Sequence, residues 1–357
     1  YQGADGVSRP GPHRVTPACR HFGACGGCQL QHVDDSVFAQ FLTDRITSAL
    51  ASQGLDAPEM RAPLLSPPKS RRRVALKAVR QGKRIMIGFS EEKSHKLVDL
   101  TDCPVMRPEL FALIAPLRRF LPLIMRDRRS GEVRMTMADG GVDMLLTSVE
   151  VEGLAATEAL ADFAQTHKLA RLSIDEGYGP SARWEPDAVT VTLGGVAVGL
   201  PDNAFLQATR EGEAALIAAV REAVGTSTQV TDLFAGLGTF ALSVPGVVHA
   251  AEGARDMILA LQQVSNRTNN GISCEHRDLF RRPLTPTELS RFDAAIIDPP
   301  RAGAKEQVEH LAQSSIRRSA FVSCNPSTFG RDAKTLIDGG YRLDWVQPVG
   351  QFRWSTH

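Results

Sequence analysis

One cysteine near the end of the chain has the surroundings of a nucleophile. Cys324 lies in the segment FVSCNPST, between a β-prone run over residues 319–322 and Pro326, which ends that run. Ser327 or Thr328 is expected to cap a helix over residues 331–337. Cys324 would then lie where open α/β sheets bind ligands, beside a helix N-terminus that lowers the pKa of a thiol. The competing interpretation is an inert, buried cysteine.

Four other cysteines have the spacing of metal or cluster ligands. They form a C-x5-C-x2-C group with one distant partner: Cys19, Cys25, Cys28 and Cys103. Four thiolates hold either an iron-sulfur cluster or zinc. The glycines at 26 and 27 favour the cluster, because they let the backbone fold tightly and supply amide donors to sulfur. The Cys-Pro step at 103–104 also favours it, and zinc remains the alternative.

The second half of the chain has the pattern of the α/β scaffold that such residues need. Apolar, β-prone runs alternate with helical segments at residues 229–234, 247–252, 272–276, 292–298, 319–324 and 341–349. This alternation predicts a doubly wound α/β domain with a parallel-rich sheet.

Glycines and acids follow the first three of these runs. Gly236 and Gly238 form a Gly-x-Gly loop, while Ala241 replaces the third glycine of the dinucleotide fingerprint and so weakens a hydride-transfer interpretation. Glu252 is placed to accept hydrogen bonds from ribose hydroxyls, and Asp278 to lie beside an adenine. Each acid taken alone could equally be a solvated loop carboxylate.

The fourth run ends in a stiffened acidic turn, DPPRAG. Pro299 and Pro300 restrict the backbone, so the carboxylate of Asp298 is expected to be held rigidly at the rim of the sheet. A rigid acid in this place can bind the edge of a nucleobase or an amine. Cys324 is expected close to it, if the two strands are neighbours.

A basic hairpin is predicted in the first half. Residues 69–84 contain eight basic residues and no acid, and they read as a strand, a Gln-Gly turn and a second strand over residues 85–89. The basic side chains of this hairpin, among them Arg71, Arg72 and Arg73, are predicted to contact the phosphates of a nucleic acid. The alternative is a solvated edge strand whose charges prevent aggregation.

Composition sets the outer limits. The length of 357 residues, of which 43% are hydrophobic, predicts two or three domains. A net charge of +1 does not by itself indicate a nucleic-acid-binding protein. There is no run of about 18 apolar residues and no secretory signal, so a cytoplasmic location without membrane association is expected. The chain opens on Tyr1 without an initiator Met, which indicates a fragment. Residues 132–199 read as part of an α+β domain.

The assembled motifs resemble the RNA uracil-5-methyltransferase family, and most closely its iron-sulfur branch acting on 23S ribosomal RNA. The resemblance runs from about Cys19 to His357 and rests on motifs in the family's order and spacing: C-x5-C-G-G-C-x-x-Q-H, R-R-R, F-x-Q, D-L-F-x-G-x-G, D-P-P-R-x-G and S-C-N-P-x-T-x-x-R-D. It implies a Rossmann-like class I methyltransferase domain over residues 201–357. A smaller α+β domain over residues 1–200 would precede it and carry a 4Fe-4S cluster on the four cysteines.

The resemblance also implies residue roles. Cys324 matches the nucleophile that adds to C6 of uracil, and S-adenosylmethionine would be the methyl donor. The positions that match cofactor or base contacts are Gln207, Phe234, Glu252, Asp278 and Asp298, with Thr239 where relatives often carry Asn. Gln207 and Asp298 join Cys324 as predicted catalytic residues, and Gly236 and Gly238 join the predicted cofactor contacts. Ribosomal RNA is the expected partner ahead of transfer RNA, and a monomer is expected.

The C-terminus departs from the family pattern D-x-F-P-x-T-x-H-x-E. Gly350 replaces the Asp, Arg353 replaces the Pro, and the expected general-base Glu would lie two residues beyond His357. Truncation or disorder is the favoured reason, and the last strand of the sheet is expected to be missing together with the Glu. A non-catalytic RNA-binding or ribosome assembly factor is the first alternative function. A methyltransferase acting on an exocyclic nitrogen is the second, although such chemistry needs no thiol adduct.

Overall fold

The structure is a computed structural model that describes residues 11–356. Its helices are α1 (Asp35–Ala51), α2 (Pro108–Ala112), α3 (Ile114–Phe120), α4 (Gly153–Thr166), α5 (Arg210–Val224), α6 (Arg255–Thr268), α7 (Pro286–Leu289), α8 (Lys305–Ala312) and α9 (Pro326–Asp338), with a 3-10 turn over Leu121–Leu123. Within this part of the chain, no helix is long and apolar enough to cross a membrane.

The strands fall into two large sheets and three small pairs. In the first half they are β1 (Glu59–Met60), β2 (Leu64–Leu65), β3 (Arg73–Gln81), β4 (Arg84–Ser90), β5 (Leu97–Asp99), β6 (Ser130–Ala138), β7 (Gly141–Thr147), β8 (Leu169–Asp175), β9 (Pro180–Trp184), β10 (Thr190–Leu193) and β11 (Val196–Gly199). In the second half they are β12 (Gln229–Leu233), β13 (Val247–Glu252), β14 (Ile272–His276), β15 (Ala294–Ile297), β16 (Arg318–Phe321), β17 (Trp345–Val346) and β18 (Val349–Gly350).

The first sheet has seven strands in the order β5-β4-β3-β6-β7-β8-β9, antiparallel except between β7 and β8. Side chains alternate along β3, so Val74, Leu76 and Ala78 are buried against helices α2, α3 and α4. The predicted basic hairpin is confirmed as β3 and β4, and Gly82 takes the positive φ of 62° that its turn requires.

The second sheet has five parallel strands in the order β14-β13-β12-β15-β16. Helices cover both faces: α5 and α6 pack in one apolar cluster, and α8 and α9 in another. All four residues of β15 are buried, as expected for a central strand covered on both sides. The predicted Rossmann-like α/β fold with a parallel sheet is therefore confirmed.

Two local predictions are wrong. The run at 341–349 forms only β17 and β18, which pair with β1 and β2 and do not extend the five-stranded sheet. Contacts from the first half hold it there, including the Arg61 guanidinium 3.8 Å from the centre of the Trp345 ring. Helix α9 begins earlier than predicted, because the side chain of Asn325, and not that of Ser327 or Thr328, caps it by accepting from the Ser327 amide at 3.2 Å.

The two halves pack closely together. Helix α1 lies against α9, and a Cβ atom added at Gly330 would come within 2.7 Å of the Ala49 carbonyl oxygen. The β10–β11 hairpin shares an apolar cluster with Ala260 and Val264 of α6. The division at residue 200 stays a prediction.

Candidate active site at the ends of the parallel strands

A cleft of about 1440 Å³ opens at the carboxyl ends of the parallel strands. The strand order reverses between β12 and β15, and such a switch point is where open α/β sheets bind their ligands. The predicted site residues that line the cleft are Gln207, Phe234, Gly236, Thr239, Glu252, Asp298 and Cys324. Gly238 and Asp278 do not line it.

The loop after β12 is folded around the carboxylate of Glu252. The Gly236 amide donates to Glu252 Oε2 at 2.8 Å, and the Ala254 amide donates to Oε1 at 2.7 Å. Phe234 is the non-glycine residue of this loop with a positive φ, at 64°. The carboxylate is thus fixed by backbone donors at the end of β13, with its position set before any ligand arrives.

The two glycines of this loop serve different purposes. Gly236 has a φ of 56° and open space where a Cβ would lie, so the backbone can approach a ligand there. Gly238 has a φ of 87°, and an added Cβ would lie 2.5 Å from Leu261 Cδ1. Gly238 therefore permits the close packing of the loop on α6.

Asp278 lies in the loop after β14. Its Oδ1 accepts from the Phe280 amide at 3.0 Å and the Arg281 amide at 3.3 Å, so the carboxylate shapes its own turn. This turn places the exposed Phe280 ring 5.4 Å from the ring of Phe234. The aromatic pair offers an apolar surface beside the Gly-x-Gly loop.

Carboxyl groups converge where β12 and β15 end. Burial raises the pKa of Asp298 to about 7, and the nearby charge of Glu252 adds to the rise. Asp232 is fully buried, and burial followed by the charge of Asp298 raises its pKa well above the ordinary value. Its Oδ2 accepts from the Ala241 amide at 2.9 Å, whereas Oδ1 has no hydrogen-bond partner.

Two glutamines connect this carboxyl cluster to the end of the chain. Gln207 is 4% exposed, and its Nε2 donates to Asp298 Oδ2 at 3.4 Å. Gln351 Nε2 donates to Gln207 Oε1 at 2.9 Å. The Arg72 guanidinium donates to the Gln207 carbonyl oxygen at 3.0 Å, so the backbone of Gln207 is held as well.

Cys324 is an exposed thiol between β16 and the cap of α9. The Val322 amide donates to the Ile297 carbonyl at 2.8 Å, so the segment leading to Cys324 runs beside the strand that ends at Asp298. The expected lowering of the thiol pKa is wrong: partial burial raises the pKa, the charge of Asp298 raises it further, and Arg301 lowers it.

No protein-family model matches the chain. A protein of Zymomonas mobilis described as an uncharacterized RNA methyltransferase is 52% identical over 100% of this chain and 90% of its own length. The 23S rRNA (uracil(1939)-C(5))-methyltransferase RlmD of Edwardsiella ictaluri is 32% identical over 97% of this chain and 81% of its own length. The chain belongs to the RNA uracil-5-methyltransferase family. It is an RNA methyltransferase.

A solved structure has the same fold as this RNA methyltransferase. The Pyrococcus abyssi tRNA (uracil-54, C5)-methyltransferase, in complex with S-adenosyl-L-homocysteine, superimposes with a TM-score of 0.75. The two chains are 22% identical, and the match covers 98% of this chain and 86% of the other. The likeness therefore extends across both sheets.

The four cysteines of the methyltransferase line one small cavity beside the first sheet. Its walls include Cys19, Cys25, Cys28 and Cys103, together with Arg71. Burial raises the pKa of the Cys28 thiol to about 11, and the neighbouring cysteines add to the rise. Among residues 11–356, no group of three or more His, Cys, Asp or Glu side chains is arranged to hold a metal ion.

One of the two glycines between the cysteines, Gly26, is required by the end of the neighbouring strand β4. A Cβ added at Gly26 would lie 2.9 Å from the Ser90 carbonyl oxygen, which accepts from the Gly26 amide at 3.0 Å. The amide of Gly27 bonds to the sulfur of Cys25 and lowers the pKa that burial raises there. This contact agrees with the predicted amide donation to sulfur.

The structure separates the three arginines of the predicted RNA-binding patch. Arg71 lines the cysteine cavity, and Arg73 places its guanidinium 5.0 Å from the centre of the Phe205 ring at the cleft. Arg72 is 3% exposed and forms an ion pair with Glu213. RNA contact by these arginines stays a prediction, and burial leaves the Arg72 side chain almost no surface to offer.

Sequence reasoning missed two residues of the site. Arg301 belongs to the DPPRAG motif, so its place beside the cleft was available from the sequence, and its charge counteracts the rise in the Cys324 pKa. Gln351 gave no signal, because it contacts Gln207 across 144 residues of sequence.

Proposed function

We propose that this RNA methyltransferase transfers a methyl group from S-adenosylmethionine to C5 of uridine, through a covalent adduct between Cys324 and C6. The observation that carries the proposal is the meeting of an exposed thiol and a half-buried carboxyl, Cys324 and Asp298, in one cleft at the switch point of the sheet. The names of the Edwardsiella and Pyrococcus proteins support uracil C5 as the target.

A thiol is needed because C5 of uracil is a poor nucleophile. Addition of the Cys324 thiolate forms the Sγ–C6 bond and moves the C5=C6 electron pair onto C5 and O4, giving an enolate. The enolate carbon then takes the methyl group while the sulfonium carbon–sulfur bond breaks, leaving S-adenosylhomocysteine. A base removes the C5 proton, the double bond returns, and the thiolate leaves. The corresponding family position for that base lies beyond His357, so residues 11–356 assign no base to this step.

The carboxylate of Asp298 supplies a basis for choosing uracil. In its ionised form it accepts a hydrogen bond from N3–H of uracil, a donor that cytosine lacks at this position. The amino group of Gln207, which already faces Asp298, is placed to donate its second hydrogen to a carbonyl oxygen of the same ring. Such a donor would also stabilise the charge that builds on O4 during addition.

The methyl donor fits the opposite part of the cleft. Gly236 leaves open space, Glu252 is anchored to accept hydrogen bonds from ribose, and Phe234 with Phe280 offers a surface for adenine. S-adenosylmethionine supplies an activated methyl sulfonium. Asp278 is assigned a role in shaping the Phe280 turn, next to this surface.

We propose that the four cysteines of this cavity hold a 4Fe-4S cluster. Four thiols line one cavity, burial and the neighbouring cysteines raise the pKa values of Cys19, Cys25 and Cys28, and Arg71 lines the same cavity. Binding of a cluster would displace the protons of the four thiols and would offset the repulsion between the resulting thiolates. We assign it a structural role: it would tie the N-terminal segment to the end of β5, because Cys103 lies shortly after that strand.

Ribosomal RNA is the proposed substrate, because the 23S rRNA enzyme is related by sequence, whereas the tRNA enzyme is matched at 22% identity by fold. The target uridine must leave its base stack to enter the cleft, so we expect it to lie in a loop or single-stranded segment of the RNA. We propose a monomer that works in the cytoplasm. A ribosome assembly factor without catalysis is the alternative.

The test uses full-length protein, S-adenosylmethionine labelled on its methyl group, and transcripts of 23S rRNA and tRNA. Nucleoside mass spectrometry should find labelled 5-methyluridine in the ribosomal transcript. Label on an exocyclic nitrogen would overturn the uracil assignment, and RNA binding without label would favour the assembly factor. Label in the tRNA alone would reverse the choice of RNA.

A further inference from the structure

A chain of hydrogen bonds leads from the backbone of Ala208 to the carboxylate of Asp298. The Ala208 amide donates to Gln351 Oε1 at 2.9 Å, and Gln351 Nε2 donates to Gln207 Oε1 at 2.9 Å. Gln207 Nε2 then donates to Asp298 Oδ2 at 3.4 Å. The last contact is the longest of the three.

The backbone amide fixes the direction of every bond in this chain. An N–H group can only donate, so the amide oxygen of Gln351 must face Ala208 and its amino group must face Gln207. The oxygen of Gln207 is therefore engaged, which leaves its amino group for Asp298 and the cleft. Reversing Gln207 would place two amino groups against each other at the Gln351 end and an oxygen against a carboxylate at the Asp298 end.

The fold makes room for Gln351 at the start of α5. A Cβ added at Gly212 would lie 2.8 Å from the Cβ of Gln351 and 2.8 Å from Thr209 Oγ1. Thr209 caps the helix by accepting from the Gly212 amide at 3.0 Å. The glycine thus lets the C-terminal segment pass close to the helix and bring Gln351 to the buried Gln207.

We propose that Gln351 is a positioning residue, which fixes the amide of Gln207 so that its amino group faces Asp298 and the base in the cleft. This inference rests on the proposed function, in which ionised Asp298 binds N3–H of uracil. Gln351 itself acts through Gln207 and not on the substrate.

The charged and titratable groups around Asp298 make such a donor important. Glu252 at the end of β13 disfavours a negative charge on Asp298, a charge on Asp298 in turn raises the pKa of Asp232 and of Cys324, and Arg301 follows in the same loop. Donation from Gln207 favours the ionised form. Loss of that donor should raise the pKa of Asp298, and the acid limb of the rate profile should move to higher pH.

The experiment compares Gln351→Met and Gln351→Glu with the wild type in single-turnover methylation of uridine, from about pH 5.5 to about 9.5. Methionine retains the length of the side chain but removes both hydrogen bonds. Glutamate can still accept from Ala208 but cannot donate to Gln207. Gln347→Met is the matched control, because Gln347 lies in the same segment and bonds to the carbonyls of Ala62 and Pro348.

Gln351→Met should lose roughly threefold to tenfold of the rate at neutral pH, the effect of one hydrogen bond, and recover at high pH. Gln351→Glu should shift the acid limb further, because it adds a negative charge, and Gln347→Met should match the wild type. A profile of Gln351→Met that coincides with the wild type, or a loss that is equal at every pH, would overturn the inference. A wild type that does not methylate C5 would instead overturn the proposed function.

Discussion

The Arg72 guanidinium forms a buried ion pair with the carboxylate of Glu213, joining the segment before β3 to helix α5. Arg72 is 3% exposed and Glu213 is 8% exposed. The same guanidinium donates to the carbonyl of Gln207 at 3.0 Å. This contact therefore links the first sheet, the catalytic half and the backbone of a site residue.

Arg72→Met should destabilise the protein by about 3–5 kcal/mol, because it leaves the Glu213 carboxylate buried without its partner. Urea unfolding measures the change in the free energy of unfolding. The double variant Arg72→Met with Glu213→Leu should recover much of the loss, since it removes both charges. A single variant as stable as the wild type would show that the pair does not hold the two halves together.

Asp298→Asn should make the protein more stable at alkaline pH. The pKa of Asp298 is about 7 in the folded protein, against an ordinary value of 3.8. The contribution of this carboxyl to folding stability is therefore fully present below about pH 4 and is lost as the pH rises through about 7. The Tm of Asp298→Asn should therefore rise relative to that of the wild type between about pH 4 and about pH 7, and the difference should stay constant at higher pH.

Asp293 offers a control of opposite sign for that titration. The Gln229 and Thr228 amides donate to its carboxylate and hold its pKa below the ordinary value. The contribution of the ionised Asp293 carboxylate to folding stability is present above the ordinary pKa of an aspartate, so Asp293→Asn should lower Tm at neutral pH. Equal Tm values for Asp298→Asn and the wild type at pH 5 and pH 8 would contradict the account of Asp298.

Protein purified without oxygen should be brown and contain iron and acid-labile sulfide in equal amounts. Cys25→Ser should lose the colour and melt at a lower temperature, because one cluster ligand is gone. Cys274→Ser is the matched control, since Cys274 lies in β14, away from the cysteine cavity. Finding stoichiometric zinc and no iron would show that the four cysteines form a zinc site and not a cluster site.

Arg73→Gln should weaken RNA binding and make it less sensitive to salt. If Arg73 contacts one phosphate, the slope of log affinity against log salt should flatten by about 0.7 to 0.9. Arg183→Gln serves as the comparison, because Arg183 lies on the edge strand β9 at the far side of the same sheet. If the salt dependence of RNA binding were unchanged in Arg73→Gln, this arginine would not contact an RNA phosphate.

The sequence predicted those parts of the fold that local patterns determine. Five of the six proposed runs form the parallel sheet, because each is a short apolar run followed by a turn. Cys324, Asp298 and Glu252 could be placed at one edge because parallel strands end on the same side.

Other features depend on packing that the sequence does not display. The run at 341–349 looks like a sixth strand, but its partners β1 and β2 lie nearly 300 residues earlier. Arg72 lies in a basic run that predicts an exposed strand, whereas its contact with Glu213 of α5 belongs to a buried ion pair. The raised pKa of Cys324 follows from burial, to which the charge of Asp298 adds, and the charge of Arg301 does not cancel this rise.

The most direct test of the central claim is a covalent trap. Full-length protein is mixed with S-adenosylmethionine and RNA containing 5-fluorouridine, and the product is separated on a denaturing gel and mapped by mass spectrometry. Fluorine at C5 cannot leave as a proton, so the adduct should persist, attached to Cys324, and should form in Cys274→Ser but not in Cys324→Ser. RNA that is bound and methylated without any adduct on Cys324 would contradict the mechanism.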